Sequence, residues 1–210
     1  DKYLSNFYVL IYKMSQFNLK TGDILLFSYH GDSFFSYLIK KFTHSKFTHV
    51  AMVLKDPEFI HPSLKGYYLW ESGQEDNPDP QDNKIKLGVQ ITPFEEIYQS
   101  YVKTHSEIYL RRIDSSKKFS IEKLKEIHNI VYDKPYDLVP EDFYEALKHK
   151  DKEPQKTDRF WCSALLGYIY TKCNILNETT DWSILFPCDF SSTSSKLKFN
   201  IPLSENIKIL

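Results

Sequence analysis

The chain has only three cysteines, at positions 162, 173 and 188, and no two of them stand in a C-x-x-C spacing. That rules out a zinc knuckle and a dithiol redox motif. An odd number leaves free thiols as the default, with a Cys173 to Cys188 disulfide, and the oxidising compartment it would imply, as the alternative. Glycine is scarce as well: six residues, none grouped, so there is no glycine-rich loop to cradle a phosphate. No HExxH pattern and no cluster of acidic ligands occurs, and His44 and His49 are spaced so that they do not share a helical face. A metal site is not signalled. The charge nearly cancels, 27 basic against 28 acidic residues, so the extended positive field that draws nucleic acid is missing. Lysines gather only locally, as at Lys117-Lys118 and from Lys148 to Lys152. Such groups read as solvated surface, with contact to an anionic membrane as the alternative. Nor is there a long apolar run. Phe7 to Met14 contains Lys13 and falls far short of the ~20 residues a bilayer span needs. It reads as a helix packed on the domain or as the stub of something longer. The chain opens on Asp1 without methionine, which leaves an upstream signal or anchor open and the compartment unreadable.

What is present is enough for one domain with a sizeable core, since 210 residues lie within the usual domain range. Lys20-Thr21-Gly22-Asp23 predicts a turn feeding the apolar strand Ile24 to Phe27. Asp32 or Ser33 can cap a helix through Phe42. Three strands are expected at Phe47 to Leu54, Gly66 to Glu71 and Lys86 to Ile91, with a mobile loop at Gly73 to Asn83, which is rich in Asp, Pro and Asn. Thr92-Pro93 followed by Glu95-Glu96 predicts a helix to about Tyr101 with proline at its first position. A strand at Glu107 to Ile113 and a capped helix at Ser120 to Val131 follow. A further helix is expected from Glu141 to Lys148, then a charged surface segment from His149 to Lys156. The last helix, capped by Thr157 or Asp158 and ending near Lys172, is apolar over most of its circumference and should be central. Strands interleaved with segregated helices give an α+β class, an antiparallel sheet packed against the central helix that carries Cys162.

Three residues carry the chemistry. Cys162 lies near the start of its helix, where unpaired N–H groups and a nearby cation both favour a thiolate. His49 sits on an apolar strand, and Glu71 closes the next one. A carboxylate there can accept the imidazole N–H and fix its tautomer, as the third member of a triad does. The competing readings are a buried structural cysteine, a satisfied strand histidine and a solvated strand end. A nucleophile must also reach solvent, which a core cysteine need not. His30, His44, His61, His105, His128 and His149 fall in loops or on amphipathic surfaces and have no better claim than His49.

The succession Gly22-Asp23-Ile24-Leu25-Leu26-Phe27, Thr48-His49-Val50, Trp70-Glu71, Pro135-Tyr136-Asp137, Phe160-Trp161-Cys162-Ser163-Ala164-Leu165 and Pro187-Cys188-Asp189-Phe190 resembles the permuted papain-like thiol hydrolases of the NlpC superfamily. More narrowly, it resembles the YiiX/YaeF-type amidases and their relatives in poxviruses and other large DNA viruses. Each motif is short, and their order carries the resemblance across roughly Lys20 to Phe190. In that family the chain is permuted relative to papain, so the histidine precedes the cysteine. The resemblance implies Cys162 as nucleophile, His49 as base, Glu71 as orienting group and Tyr136 as an oxyanion donor, a buried turn tyrosine being the alternative for the last. It further implies a hydrolase domain at 20–210 after an N-terminal extension at 1–19, no cofactor, and a peptide, isopeptide or acyl-lipid substrate. Membrane, virion or cytoplasmic settings all stay open, as does a catalytically silent binding or virion-structural module of the same fold. Two features depart from the family: Ala164 stands where an acid is common, and neither the insertion Gly73 to Asn83 nor residues 1–19 has an obvious counterpart.

Overall fold

The computed structural model describes residues 17–31, 39–41, 43–114, 119–138 and 156–210. Six strands form one antiparallel sheet in the order β4-β3-β2-β1-β5-β6: β1 Ile24–Ser28, β2 His49–Lys55, β3 Tyr67–Gln74, β4 Leu87–Pro93, β5 Glu107–Arg111 and β6 Ile207–Lys208. Helices α1 Phe94–Lys103, α2 Ile121–Val131 and α3 Cys162–Lys172 accompany it. The class is α+β.

Both faces of the sheet are covered, which explains why β1 and β2 read as unbroken apolar runs rather than alternating ones. Ile24, Leu26, Val50, Met52, Leu54, Trp70, Val89 and Ile91 face one core together with α2 and α3. Leu25, Phe27, Ala51, Val53, Leu69, Ile108 and Leu110 face a second core, closed by Phe94, Ile97 and Tyr98 of α1. Every residue of α3 from Cys162 to Thr171 is buried, as expected of a central helix.

Several expectations need correction. β3 runs three residues past Glu71, and Pro93 ends β4 as the N-cap of α1 instead of opening the helix. The N-cap of α3 is Trp161, in extended conformation and without a side-chain cap, not Thr157 or Asp158. The expected mobile loop is pinned: Asp79 is 1% exposed, bridges to Lys84, and meets Lys86 Nζ at 2.9 Å, while Asp82 meets the same amine at 2.6 Å. All three cysteines are free. The two-residue strand β6 had no sequence signal. The helices expected at 7–14 and 141–148, the start of the one at 32–42, and most of the segment at 149–156 lie outside the described residues.

Candidate active site

The polar tail of β3, Glu71-Ser72-Gly73, is built into the protein interior, with Glu71 at 1% and Ser72 at 0% exposure. Strand alternation sends Glu71 and Gly73 to one face and Ser72 to the other. On the first face His49, the opening residue of β2, lays its ring over Gly73, where an added Cβ would stand 3.7 Å from His49 Cε1. From that position His49 Nε2 donates to Glu71 Oε2 at 2.6 Å. The other oxygen, Oε1, accepts from Thr92 Oγ1 of β4, also at 2.6 Å. Both oxygens are thus engaged, and a buried carboxylate held from two sides has no freedom to leave the imidazole. Phe27 of β1 packs against the ring, with centroids 5.4 Å apart. On the opposite face Ser72 Oγ donates to Phe160 O at 2.6 Å, which ties the lead-in to Cys162 to the same strand. One tripeptide therefore places both the histidine and the cysteine.

Cys162 is the first residue of α3. With no side chain capping the helix, the N–H groups of its first turn and the positive end of its dipole stay available to an anion. The helix lies on the face opposite the His49 ring, and the charge of its first residue acts on the imidazole where β2 begins. Burial opposes a charge on His49. The Cys162 sulfur and then the Glu71 carboxylate outweigh it, so the imidazole holds its proton well above the ordinary value. Cys162 itself is 3% exposed, packed in one cluster with Ala164, Leu165 and Leu166, so the expectation that it opens to solvent is not met. The other two thiols are different. Burial pushes Cys173 up to about 12 and Cys188 up to about 11, so both stay neutral at ordinary pH.

Tyr136 pairs with the lead-in to Cys162 from a short extended segment beside β4. Its N–H donates to Leu87 O at 3.1 Å, and it pairs in parallel with Phe160. Gly88 allows this close approach: its φ is +154°, and a Cβ would fall 2.3 Å from Lys134 O. Burial, then the Cys162 charge, then Asp137 raise the Tyr136 phenol well above its ordinary value, so it stays an O–H donor.

The structure therefore brings His49, Glu71, Cys162 and Tyr136 together. It adds residues that sequence reasoning missed. Thr92 was hidden because it stands at a strand end and reads as the start of α1. Tyr101 was hidden on an amphipathic helix; it packs on Phe27 at 5.1 Å and Tyr29 at 5.9 Å, and burial, then the charge of Glu71, raises its phenol well above the ordinary value. The remaining described histidines whose bonds are defined are held elsewhere, His30 by Ser28 and the His105 carbonyl, His61 by Ser63, and His128 by Gln81.

Among the described residues no group of three or more His, Cys, Asp or Glu side chains is arranged to hold a metal ion. No protein-family model matches the sequence, and no curated protein matches it. Among solved structures the chain is similar to the metalloprotein yiiX from Escherichia coli O157:H7, at 20% identity and a TM-score of 0.49, over 90% of this chain and 87% of that one. The chemistry of the site rests on its own geometry.

Proposed function

We propose that the chain is a cysteine hydrolase of permuted papain-like fold that cleaves an amide bond through a thioester on Cys162. The observation that carries this reading is His49 held at 2.6 Å by a buried Glu71, itself held by Thr92, with Cys162, the first residue of an uncapped helix, raising the proton affinity of the same imidazole. As a carboxylate, Glu71 can only accept, so Nε2 carries a proton and Nδ1 is left to take the thiol proton. The Cys162 sulfur then adds to the substrate carbonyl carbon. The resulting oxyanion receives hydrogen bonds from the Cys162 N–H and the Tyr136 hydroxyl. On collapse the C–N bond breaks, and the imidazolium gives its proton to the leaving amine. Water next attacks the thioester, giving one proton to His49, which returns it to the thiol as the acid departs.

Incubation with a panel of peptide, isopeptide and acyl-ester substrates, followed by intact-mass measurement, tests this. The expected result is an acyl adduct on Cys162 from amide substrates that is absent in Cys162→Ala and His49→Ala. Adducts from esters alone would transfer the activity to acyl lipids. The 3% exposure of Cys162 favours a second reading, a silent binding module that keeps the fold, and the absence of any adduct would select it.

A further inference from the structure

The motif Pro187-Cys188-Asp189-Phe190 has no part in that reaction. It forms one turn of 3-10 helix, pinned where Asp189 Oδ2 accepts from the Phe186 N–H at 2.9 Å and meets Lys196 Nζ at 2.8 Å. Cys188 lines a cavity of about 500 Å³, together with the lead-in to β2 from Thr43 to Phe47, Tyr109 of β5, and Thr193, Ser194 and Asn206. Its polar lining is one-sided: Lys46 and His44 are present, and among the described residues that line it there is no Asp or Glu. Glu107, which Lys46 meets at 3.4 Å, is also held by Lys208 at 2.5 Å, so two ammonium groups share one carboxylate and a positive charge is left over. Burial keeps the Cys188 proton to about 11, so the thiol adds no negative charge. Ser45 Oγ accepts from the Phe47 N–H at 3.2 Å and Ser194 Oγ from the Lys196 N–H at 3.3 Å, which leaves both hydroxyl hydrogens to donate. The loop that carries Thr193 and Ser194 is fixed by Asn206, whose Oδ1 accepts from the Ser192 N–H at 3.1 Å and whose Nδ2 donates to Ser191 Oγ at 2.7 Å. An excess cation and hydroxyl donors on fixed backbone suit a tetrahedral oxyanion. Beside them the rings of Phe47 and Tyr109 meet edge to face, 5.5 Å between centroids, and give the cavity an apolar wall. Its volume is that of a small-molecule site, larger than a lone ion requires.

We propose that this cavity binds a small phosphate monoester, with its phosphoryl group on Lys46, Ser45 and Ser194 and its body against Phe47 and Tyr109. The site is separate from the thiol chemistry and does not depend on the hydrolase reading. A phosphoryl group brings enough charge to use the surplus cation and enough oxygens to use several donors at once, whereas a carboxylate uses fewer.

Amide NMR titration of the whole chain with phenyl phosphate, inorganic phosphate and benzoate tests this. Phenyl phosphate is expected to shift residues 43–47, 109, 193, 194 and 206 and to bind more tightly than either of the other two. Lys46→Gln should weaken it about tenfold, the loss of one charge-assisted hydrogen bond. Ser194→Asp, which puts a carboxylate on the wall, should abolish binding, and it carries the test alone if the spectrum of Lys46→Gln shows a lost fold. Lys103→Gln, at the end of α1, should change nothing. Phosphatidylcholine vesicles with and without phosphatidic acid separate a lipid headgroup from a soluble ester, and neither kind is expected to sediment the protein. Benzoate binding as tightly as phenyl phosphate, shifts that miss the named residues, or an affinity unchanged in a folded Lys46→Gln or in Ser194→Asp would overturn the proposal. Sedimentation with phosphatidic acid vesicles in place of binding to the soluble ester would overturn its assignment to a small molecule.

Discussion

Replacing Glu71 by glutamine removes one charge and little else. The amide oxygen can still accept from His49 Nε2, and the amide N–H can donate to Thr92 Oγ1, so both 2.6 Å contacts have a neutral counterpart. What is lost is the charge assistance. A bond to a charged group contributes about 1.5–3 kcal/mol and a neutral one about 0.5–1.5, so the variant should lose about 1 kcal/mol. For a chain of this length that corresponds to a fall in Tm of about 2–4 °C. The same loss lowers the proton affinity of the imidazole, so the His49 titration should drop. The sign with pH follows from linkage. The His49 proton affinity is raised on folding, so the stability it contributes is fully present below the unfolded histidine value of about 6.5 and is lost as pH rises through the folded value. The gap between wild type and Glu71→Gln should therefore be widest near pH 6 and close at alkaline pH. The assay is an NMR titration of the His49 ring protons alongside urea melts at several pH values. Cys162→Ala should lower the titration further, because the sulfur is the larger of the two raising influences. A His49 titration unmoved by Glu71→Gln, or a stability gap that widens with pH, would refute the reasoning.

Leu165 is fully buried in α3, so Leu165→Ala should cost about 2–5 kcal/mol in a denaturant melt, whereas Cys162→Ala, which removes a single buried sulfur, should cost about 1 kcal/mol. The reverse ranking would make Cys162 the structural keystone of the helix. Gly88→Ala forces a Cβ to 2.3 Å from Lys134 O at a left-handed φ and should cost about 2–4 kcal/mol while displacing Tyr136. Gly73→Ala, whose Cβ finds only an ordinary 3.7 Å contact, should melt within about 1 kcal/mol of wild type, and equal losses in the two variants would contradict the positions assigned to these glycines.

Apolar runs and helical spacing were enough to read β1 to β4 and α1 to α3 in the sequence, because both sheet faces are buried and leave uninterrupted signals at 24–27 and 50–54. The misreadings fall at the site. Glu71-Ser72-Gly73-Gln74 has the composition of a strand end, yet it stays paired with β4, and Glu71 and Ser72 are held by partners across the fold that no local pattern announces. Trp161 was an improbable N-cap on propensity, so the caps at 157 and 158 looked stronger. Asp79 was read as a loop residue because its burial depends on its ion pair with Lys86. Thr92 and Tyr101 reach the site only through the sheet register and the packing of α1, contacts far apart along the chain.

The central claim is that His49 activates Cys162, and graded alkylation tests it most directly. Limiting iodoacetamide at about pH 6, with peptide mass spectrometry, should label Cys162 ahead of Cys173 and Cys188, whose protons burial retains to about 12 and 11. His49→Ala should move the onset of Cys162 labelling to higher pH. Equal reaction of the three cysteines, or a Cys162 pH profile indifferent to His49→Ala, would contradict the account.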